Sequence, residues 1–321
     1  MPPQSLRGSP LVAPCQYGWQ VNPSRPTPLV LAAISVTILA WASAFVVIRF
    51  AAPYFSGGAL ALGRLVVGTI LLGIVVLLSR RWVPPTRNEW LLIIGFGVLW
   101  FGAYNVALNI AEHTLDAGTT AMIVNIGPLL IALGAGVFLG EGIPKWLAIG
   151  AGVAFIGVIL IGVGTTTGFG DGTGVIWALV AAVTYAAGVL LQKPALKRLP
   201  AAQVTWMGAA IGMVACLPFA GDLVRDAQEA PLPGLLAVLY LGAIPTALAF
   251  STWAYALSRM PAGQLGISTY IVPPIAVVLG LVVFGEVPAT LAIVGGVLCL
   301  VGVALSRISP RVPALPKIMA E

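Results

Sequence analysis

The chain has 321 residues, a formal net charge of +6 and a mean hydropathy of +1.03; hydrophobic residue types make up 59% of it and charged types only 8%. A soluble domain carries about 25% charged residues, so this composition excludes a protein whose whole surface faces water. The three cysteines are scattered without a CxxC pair and there is one histidine, which supports neither a disulfide framework nor a zinc site.

The amino-terminal segment differs in composition from the rest of the chain. Residues 1–28 contain seven prolines and no apolar run as long as that of a signal peptide. This composition is typical of disordered segments. We predict a disordered cytosolic tail over residues 1–28 and, after the last apolar run, a second cytosolic tail over residues 308–321.

Ten apolar runs lie between these tails, bounded by charges, glycine or proline. A helix needs roughly 20 apolar residues to cross a bilayer, and most of these runs reach that length. The sequence therefore predicts an all-α integral membrane protein with ten transmembrane helices, and the short connections predict antiparallel neighbours. The runs cover residues 29–50, 57–78, 90–111, 117–139, 145–163, 173–192, 202–220, 232–257, 264–284 and 289–306.

Charge in the connections predicts the orientation, because cytosolic loops keep Lys and Arg. With the amino terminus inside, the basic residues of the connections and tails fall in inner segments, except for Arg225 in an outer loop. The same choice places most acidic residues outside. We therefore expect both termini in the cytosol, in a bacterial-type inner (plasma) membrane.

An internal repeat divides the chain. At an offset of 145 residues, the Ala-Gly pair at 117–118 and the Gly-Glu pair at 140–141 recur at 262–263 and 285–286, and Pro128 recurs as Pro273. The first run matches the sixth at an offset of 144. Each half holds five predicted helices, an odd number, so the second copy enters the membrane upside down. We predict two inverted five-helix repeats, over residues 29–163 and 164–307, of the kind that surround a midplane site in many transporters.

Two prolines interrupt predicted spans. Pro128 and Pro273 fall near the middle of the fourth and ninth runs, where the missing amide and the ring break the helix. Irregular backbone at membrane depth is tolerated only beside protein or a watery cavity. We expect these prolines to act as hinges at a cavity; simple structural bending is the alternative.

Polar and aromatic side chains recur inside the spans. Asn105, Asn109 and Glu112 lie on one helical face with Phe101. Such residues are costly in hydrocarbon and indicate either a polar cavity or hydrogen bonds between helices. They offer amide, hydroxyl and aromatic groups without an evident buried counter-charge, which favours a zwitterion or a mixed polar and apolar solute. Similar groups elsewhere are Asn125, Tyr185, Trp253 and Tyr270.

The charged residues near the spans leave alternatives open. Arg64 lies about seven residues into the second run, where it either snorkels outward, bonds to carbonyls, or contacts a gate or a substrate carboxylate. Glu112, Glu141 and Glu286 lie at the ends of runs, so no acid is expected mid-membrane. This favours a facilitator or a weakly coupled exporter, in which Glu141 and Glu286 are gate or structural charges. His113 is expected to be solvated, with a pH-sensitive gate as the alternative.

Several function classes lack their motifs. The chain has no GxxxxGK[ST] loop and no serine-protease, HExxH or rhomboid-type GxSxG pattern. We therefore expect neither ATP hydrolysis nor another enzymatic activity, no cofactor, no metal ion and no nucleic-acid partner. The expected partners are the lipid bilayer and a small-molecule substrate; the sequence leaves the oligomeric state open.

The paired motifs resemble a known family. Ala-Gly, proline and Gly-Glu at matched spacing in both halves, with Arg64 early in the second run, resemble the drug/metabolite transporter superfamily in its EamA type. The resemblance covers residues 29–307. Within that superfamily the chain looks most similar to aromatic amino-acid exporters of the YddG type.

The resemblance implies a function and a site. It implies a secondary transporter that exports amino acids or related small metabolites by alternating access. A drug or nucleotide-sugar carrier of the same fold, and a membrane-embedded scaffold or enzyme, are the alternatives. It also implies a cavity lined by the first, third, fourth, sixth, eighth and ninth helices, which selects Trp41, Asn105, Asn109, Asn125, Tyr185, Trp253 and Tyr270 as substrate-binding residues.

Overall fold

The computed structural model describes residues 27–138, 145–166, 172–260 and 262–305, and every regular element within these ranges is a helix. The predicted all-α class is confirmed for them. Glu141 of the first Gly-Glu pair lies outside the described residues, so its predicted role stays a prediction.

The helices alternate with short connections along the chain. Residues 27–166 form α1 (Pro28–Ala51), α2 (Gly57–Ser79), α3 (Arg87–Phe96), a first π-helix (Gly97–Ala103), α4 (Tyr104–Ala111), α5 (Ala117–Val124), α6 (Gly127–Phe138) and α7 (Lys145–Thr166). Residues 172–305 form α8 (Thr173–Ala195), α9 (Ala201–Ala215), a 3₁₀ turn (Leu217–Phe219), α10 (Ala220–Glu229), α11 (Leu232–Leu241), a second π-helix (Gly242–Leu248), α12 (Ala249–Arg259), α13 (Ala262–Ser268), a 3₁₀ turn (Thr269–Ile271), α14 (Val272–Phe284) and α15 (Thr290–Leu305).

The length and composition of these helices agree with a membrane protein. Five continuous segments in the described ranges are long and apolar enough to cross a bilayer. They are Pro28–Ala51, Gly57–Ser79, Arg87–Ala111, Thr173–Ala195 and Leu232–Arg259. A pair bent by 52°, Ala201–Ala215 with Leu217–Glu229, would make a sixth, and four shorter apolar helices accompany them: Ala117–Ile131, Ala148–Ile161, Thr269–Phe284 and Thr290–Gly302. The predicted number of ten crossings stays a prediction.

Side-chain caps explain why several helices begin where they do. The hydroxyls of Thr27 and Ser56 and the carboxylate of Asp116 accept hydrogen bonds from backbone amides in the first turns of α1, α2 and α5. Thr86 and Glu89 form a reciprocal capping box at the start of α3. These caps satisfy amides that a helix leaves unpaired at its first turn, so short connections suffice.

The elements of the two halves occur in the same order. α11 begins 145 residues after α3, and the second π-helix begins 145 residues after the first. α12 and α14 likewise begin 145 residues after α4 and α6. The offset that the sequence motifs predict therefore also relates the irregular parts of the backbone, which are the least common elements in helical proteins.

Two helix breaks lie where the prolines predict interruptions. Asn125 and Ile126 separate α5 from α6, and the turn Thr269–Ile271 separates α13 from α14. Pro128 and Pro273 are each the second residue of the helix after the break. Proline is tolerated there because the first turn has no partner for that amide. Movement at these breaks stays a prediction.

Glycines bring the two halves into close contact. A Cβ added to Gly242 of the second π-helix would lie 2.4 Å from the Cβ of Val67 on α2. A Cβ added to Gly212 of α9 would lie 2.4 Å from the Cβ of Phe101 in the first π-helix. The second helix of each half therefore packs against the π-helix of the other, with the small residues that close packing in a membrane requires.

Matching helices of the two halves point away from the same end of the molecule. α1 ends beside α4, because Arg49 Nη1 donates to the carbonyl oxygen of Glu112 at 3.0 Å. α8 begins beside α4, because a Cβ added to Gly174 would lie 3.3 Å from the carbonyl oxygen of Ala111. One helix ends where its counterpart begins, so the two run in opposite directions.

Candidate functional site

An internal cavity lies between the helices of both halves. Its volume is about 50 Å³, which is small beside the roughly 300–1,000 Å³ of ordinary ligand pockets and leaves room for a few water molecules. The conformation described is therefore a contracted one. The aromatic, charged and polar residues of its wall are Trp41, Arg64, Trp100, Tyr104, Asn125, Tyr185, Phe250 and Thr269.

Aromatic rings form most of this wall. The ring centroid of Trp100 lies 5.1 Å from that of Tyr185 and 5.0 Å from that of Phe250. Trp41 lies 6.2 Å from Trp100 and 5.0 Å from Trp253. These separations fall in the range where tilted and edge-to-face ring pairs attract each other. Rings from α1, the first π-helix, α8 and α12 thus make one apolar surface.

Two glycines make room for these rings. A Cβ added to Gly127, at the start of α6, would lie 2.2 Å from Cδ1 of Tyr185. A Cβ added to Gly188 of α8 would lie 2.5 Å from Cβ of Trp100. No side chain fits at either position without moving a ring, so these glycines determine where the aromatic wall lies.

Arg64 is the cation of the cavity wall. Its side chain is only 3% exposed, and Nε donates to Oγ1 of Thr246 at 3.0 Å. Thr246 in turn donates to the carbonyl oxygen of Leu241 at 2.8 Å, a carbonyl at the start of the second π-helix. Nη1 of Arg64 is buried without a hydrogen-bond partner. The expected outward snorkelling is wrong for this structure, and so is the expected lack of a buried counter-charge.

The helix breaks bring two polar residues to the cavity. Oγ1 of Thr269 lies 3.3 Å from Oδ1 of Asn125, so one break from each half contributes to a single polar contact. Nδ2 of Asn125 is buried without a partner. This unpaired donor is available to a solute that enters the cavity.

Asn105 and Asn109 do not line the cavity. Nδ2 of Asn105 donates to the carbonyl oxygens of Trp100 and Phe101, at 3.3 and 2.8 Å, within the first π-helix. Nδ2 of Asn109 donates to the carbonyl oxygen of Gly57 at 3.0 Å and so ties α4 to the start of α2. Both amides support the backbone, which is the alternative that the sequence left open.

The remaining predicted binding residues divide between the wall and the layer behind it. Trp41, Asn125 and Tyr185 line the cavity. Trp253 is 1% exposed and contacts the ring of Trp41 from behind. Tyr270 packs against an apolar cluster beside the cavity rather than in its lining. Of the seven residues predicted as a binding set, three can therefore meet a solute in this conformation.

Sequence reasoning missed Trp100 and Tyr104. A π-helix closes its hydrogen bonds five residues apart, so the residues of the first π-helix do not follow the 3.6-residue period used to assign faces. The wide turn places Trp100 in the cavity and leaves Asn105 behind it. The glycines Gly97 and Gly102 at its two ends are a signal of irregular backbone that could have found it.

A group of charged side chains lies at the end of the molecule where α1 ends, and we name Arg49, Glu112, His113 and Glu286 the terminal charge cluster. Nε of Arg49 pairs with Oε1 of Glu286 at 3.1 Å. A second cavity of about 410 Å³ opens beside the cluster and contacts Arg49, His113, Glu286 and Tyr54. Among the described residues, no group of three or more His, Cys, Asp or Glu side chains could hold a metal ion.

Glu112 is the buried acid of this cluster. It is the first residue after the segment Arg87–Ala111, its exposure is 0%, and neither carboxylate oxygen has a hydrogen-bond partner. Burial raises its pKa well above the ordinary value, and the nearby charge of Arg49 offsets this only in part. A residue at the end of an apolar run is thus enclosed by protein, while His113 beside it is exposed as expected.

Comparison with known proteins gives a consistent result. The model of the EamA-like transporter family matches residues 28–163 and again residues 172–308. A probable terminal-alkyne amino-acid exporter of Streptantibioticus cattleyicolor is 35% identical over 276 residues, which are 85% of this chain and 91% of that protein. A probable amino-acid metabolite efflux pump of Salmonella typhimurium is 23% identical, over 86% of this chain and 94% of that protein. A solved crystal structure with a TM-score of 0.60 and 19% identity covers 87% of this chain and 97% of its own, which shows the fold alone.

Proposed function

The chain belongs to the EamA-like transporter family and is a membrane transporter rather than an enzyme, and from this premise we propose that it exports amino acids or closely related metabolites by alternating access. In this proposal ten helices form two inverted five-helix repeats, over residues 29–163 and 164–307. Both tails, residues 1–28 and 308–321, lie in the cytosol of a bacterial cell, and the terminal charge cluster faces outward.

Three observations support the inverted repeat. The family model matches the chain twice, with starts 144 residues apart. α1 and α8 run in opposite directions, as α4 contacts the end of one and the start of the other. The basic residues of the connections lie on the side that this topology places in the cytosol. Tags on each terminus, tested for protease access in intact cells, would both be protected; cleavage of one alone would exclude the topology.

The contracted cavity and the ion pair at the end of α1 support alternating access. The cavity is too small for an amino acid, and Arg49 joins α1 to the residue pair directly after α14. A carrier passes through such a closed state between its two open ones. The helix breaks beside Pro128 and Pro273 border this cavity and supply backbone that can bend.

Arg64 carries the proposal for the substrate. Its unpaired Nη1 at the cavity wall is a donor for a carboxylate, and arginine binds carboxylates better than any other side chain does. The rings of Trp41 and Trp100 can hold an apolar side chain or contact an ammonium group through their faces. Two relatives are named as amino-acid or amino-acid-metabolite exporters, which agrees with this chemistry.

Counterflow in proteoliposomes tests the substrate class. Purified protein, loaded with each unlabelled solute in turn, would be supplied with labelled L-phenylalanine, L-leucine, L-methionine or L-propargylglycine. We expect at least one to accumulate above the level of empty vesicles. If no amino acid moves, the substrate proposal is wrong. Movement of ethidium instead would favour the drug carrier, for which the aromatic wall is the supporting observation.

A further inference from the structure

Glu112 is a carboxyl group for which the structure provides no pairing partner. Its oxygens are fully buried and accept no hydrogen bond, whereas an ionised carboxylate removed from water requires a cation or several donors. The nearest cation, Arg49, donates to the backbone carbonyl oxygen of Glu112 and gives its Nε to Glu286. In this conformation the carboxyl group is therefore neutral and carries a proton.

The charges that face Glu112 come from four directions and nearly cancel. Arg49 lies at the end of α1 and Arg64 lies on α2, while Asp116 caps α5 and Glu286 lies just beyond α14. Two cations and two anions leave little net field to hold a third anion. Nη1 of Arg49 lies 3.0 Å from the carbonyl oxygen of Glu112, close enough to move onto its carboxylate when that group ionises.

We propose that Glu112 is a proton-binding site, and that the transporter exchanges one proton moving inward for each substrate molecule moving outward. This inference rests on the proposed function and names its driving ion. Sequence patterns alone do not predict it, because Glu112 is there only an acid at the end of an apolar run.

The second cavity supplies a path for the proton on the outer side. Its volume of about 410 Å³ admits water to Arg49, His113 and Glu286, which border Glu112. A proton from this water binds the Glu112 carboxylate to form the O–H bond. Arg49 is then released from that carboxylate and pairs with Glu286, which joins α1 to the end of α14 and closes this side.

Arg64 links the same carboxyl group to the central cavity. It faces both Glu112 and the space where the substrate is proposed to bind. When the inner side opens, water reaches this region, the O–H bond of Glu112 breaks, the electron pair stays on the carboxylate, and the proton passes to that water. The new carboxylate attracts Arg49 away from Glu286, which allows the outer side to open once substrate is bound.

Proteoliposomes that contain a pH-sensitive dye and the purified chain test this proposal. Addition of the panel amino acid with the fastest counterflow should change the internal pH in wild-type vesicles. Transport without any pH change would overturn the proton site and leave the proposed function intact. Absence of transport for every amino acid would instead overturn the proposed function.

The variant Glu112→Gln keeps the shape of the neutral carboxyl group and cannot release a proton. We expect counterflow to be retained and the substrate-driven pH change to fall to the level of empty vesicles. Glu229→Gln, the same exchange at an exposed acid of α10, should behave as wild type. A pH change of wild-type size in Glu112→Gln would overturn the proposal. If that variant is inactive, folded Glu112→Asp must restore the pH change, and its failure to do so would also overturn the proposal.

Discussion

The two ends of the molecule use the same backbone contact with different side chains. At one end, Arg49 near the end of α1 donates to the carbonyl oxygen of Glu112. About 30 Å along α8 from that end, Lys193 donates to the carbonyl oxygen of Leu257, which is the residue 145 positions after Glu112. A basic residue at the end of the first helix of each half thus binds the matching carbonyl. The side chain at that position is a carboxylic acid in one half and a leucine in the other, so proton chemistry is available at one end.

The central cavity shows the same division. Arg64 and Tyr104 of the first half line it, and the residues 145 positions later are Ala209 and Ala249. The second half contributes Tyr185, Phe250 and Thr269. The repeat therefore fixes helix order, π-helices and breaks, whereas the charged groups come from one half. A scaffold with two similar halves can move symmetrically and still bind an unsymmetrical solute whose carboxylate needs a single cation.

Removal of the cavity cation should have the largest effect. Arg64→Ala gives this position the side chain that the second half has at Ala209, and Arg64→Lys keeps the charge without the planar donor group. We expect counterflow of the preferred amino acid to fall by about 30-fold or more for alanine, because loss of one partner of a buried charge pair costs about 2–5 kcal/mol. Lysine should recover part of this loss.

The control is Arg225→Ala on α10, where the arginine is exposed and pairs with Asp222 within its own helix. It should transport as wild type does. Wild-type counterflow in folded Arg64→Ala would show that both halves bind substrate through rings alone, and the proposed carboxylate contact would be abandoned.

Displacement of a ring should have the next largest effect. Gly127 is matched by Val272 in the second half, so only the first half leaves space for a ring at this position. Gly127→Ala forces Tyr185 to move, and overpacking of this kind costs about 1–3 kcal/mol. We expect about tenfold lower counterflow with a changed order of preference among apolar amino acids. Gly152→Ala on α7 meets no atom within 4 Å and should change neither; equal behaviour of the two variants would contradict the role of the aromatic wall.

Sequence patterns predict the features that depend on composition and spacing, and fail where a contact from a distant helix decides. Apolar run lengths and capping residues predict the helices, and three of the aromatic and polar residues selected from the sequence, Trp41, Asn125 and Tyr185, line the cavity. The predicted face of Asn105 is wrong because a π-helix precedes it. The burial of Glu112 could not be predicted, because helices far away in the chain enclose it.

The pH dependence of stability should separate the two ends. Because the pKa of Glu112 is raised, the folded protein holds a proton that the unfolded chain releases above about pH 4.3. By linkage, the stability from this group is fully present below that value and is lost as pH rises towards the raised pKa. We expect the Tm in detergent to fall between about pH 5 and pH 8, and Glu112→Gln to remove that part of the fall. Lys193→Gln at the opposite end should keep it. Parallel Tm curves for wild type and Glu112→Gln would show that Glu112 is not protonated in the folded state.

The smallest effect is expected at Asn109, which the sequence suggested as a substrate contact. Its amide binds the carbonyl oxygen of Gly57, while the matching residue of the second half, Ala254, makes no such bond through its side chain. Asn109→Ala should therefore cost about 0.6 kcal/mol, the average for hydrogen bonds between membrane helices, and lower the Tm slightly. Its order of preference among amino acids in counterflow should be that of wild type, since the amide lies outside the cavity wall. A changed order of preference would mean that α4 rotates during transport and presents Asn109 to the substrate, so that a contact closed in the contracted state opens in another.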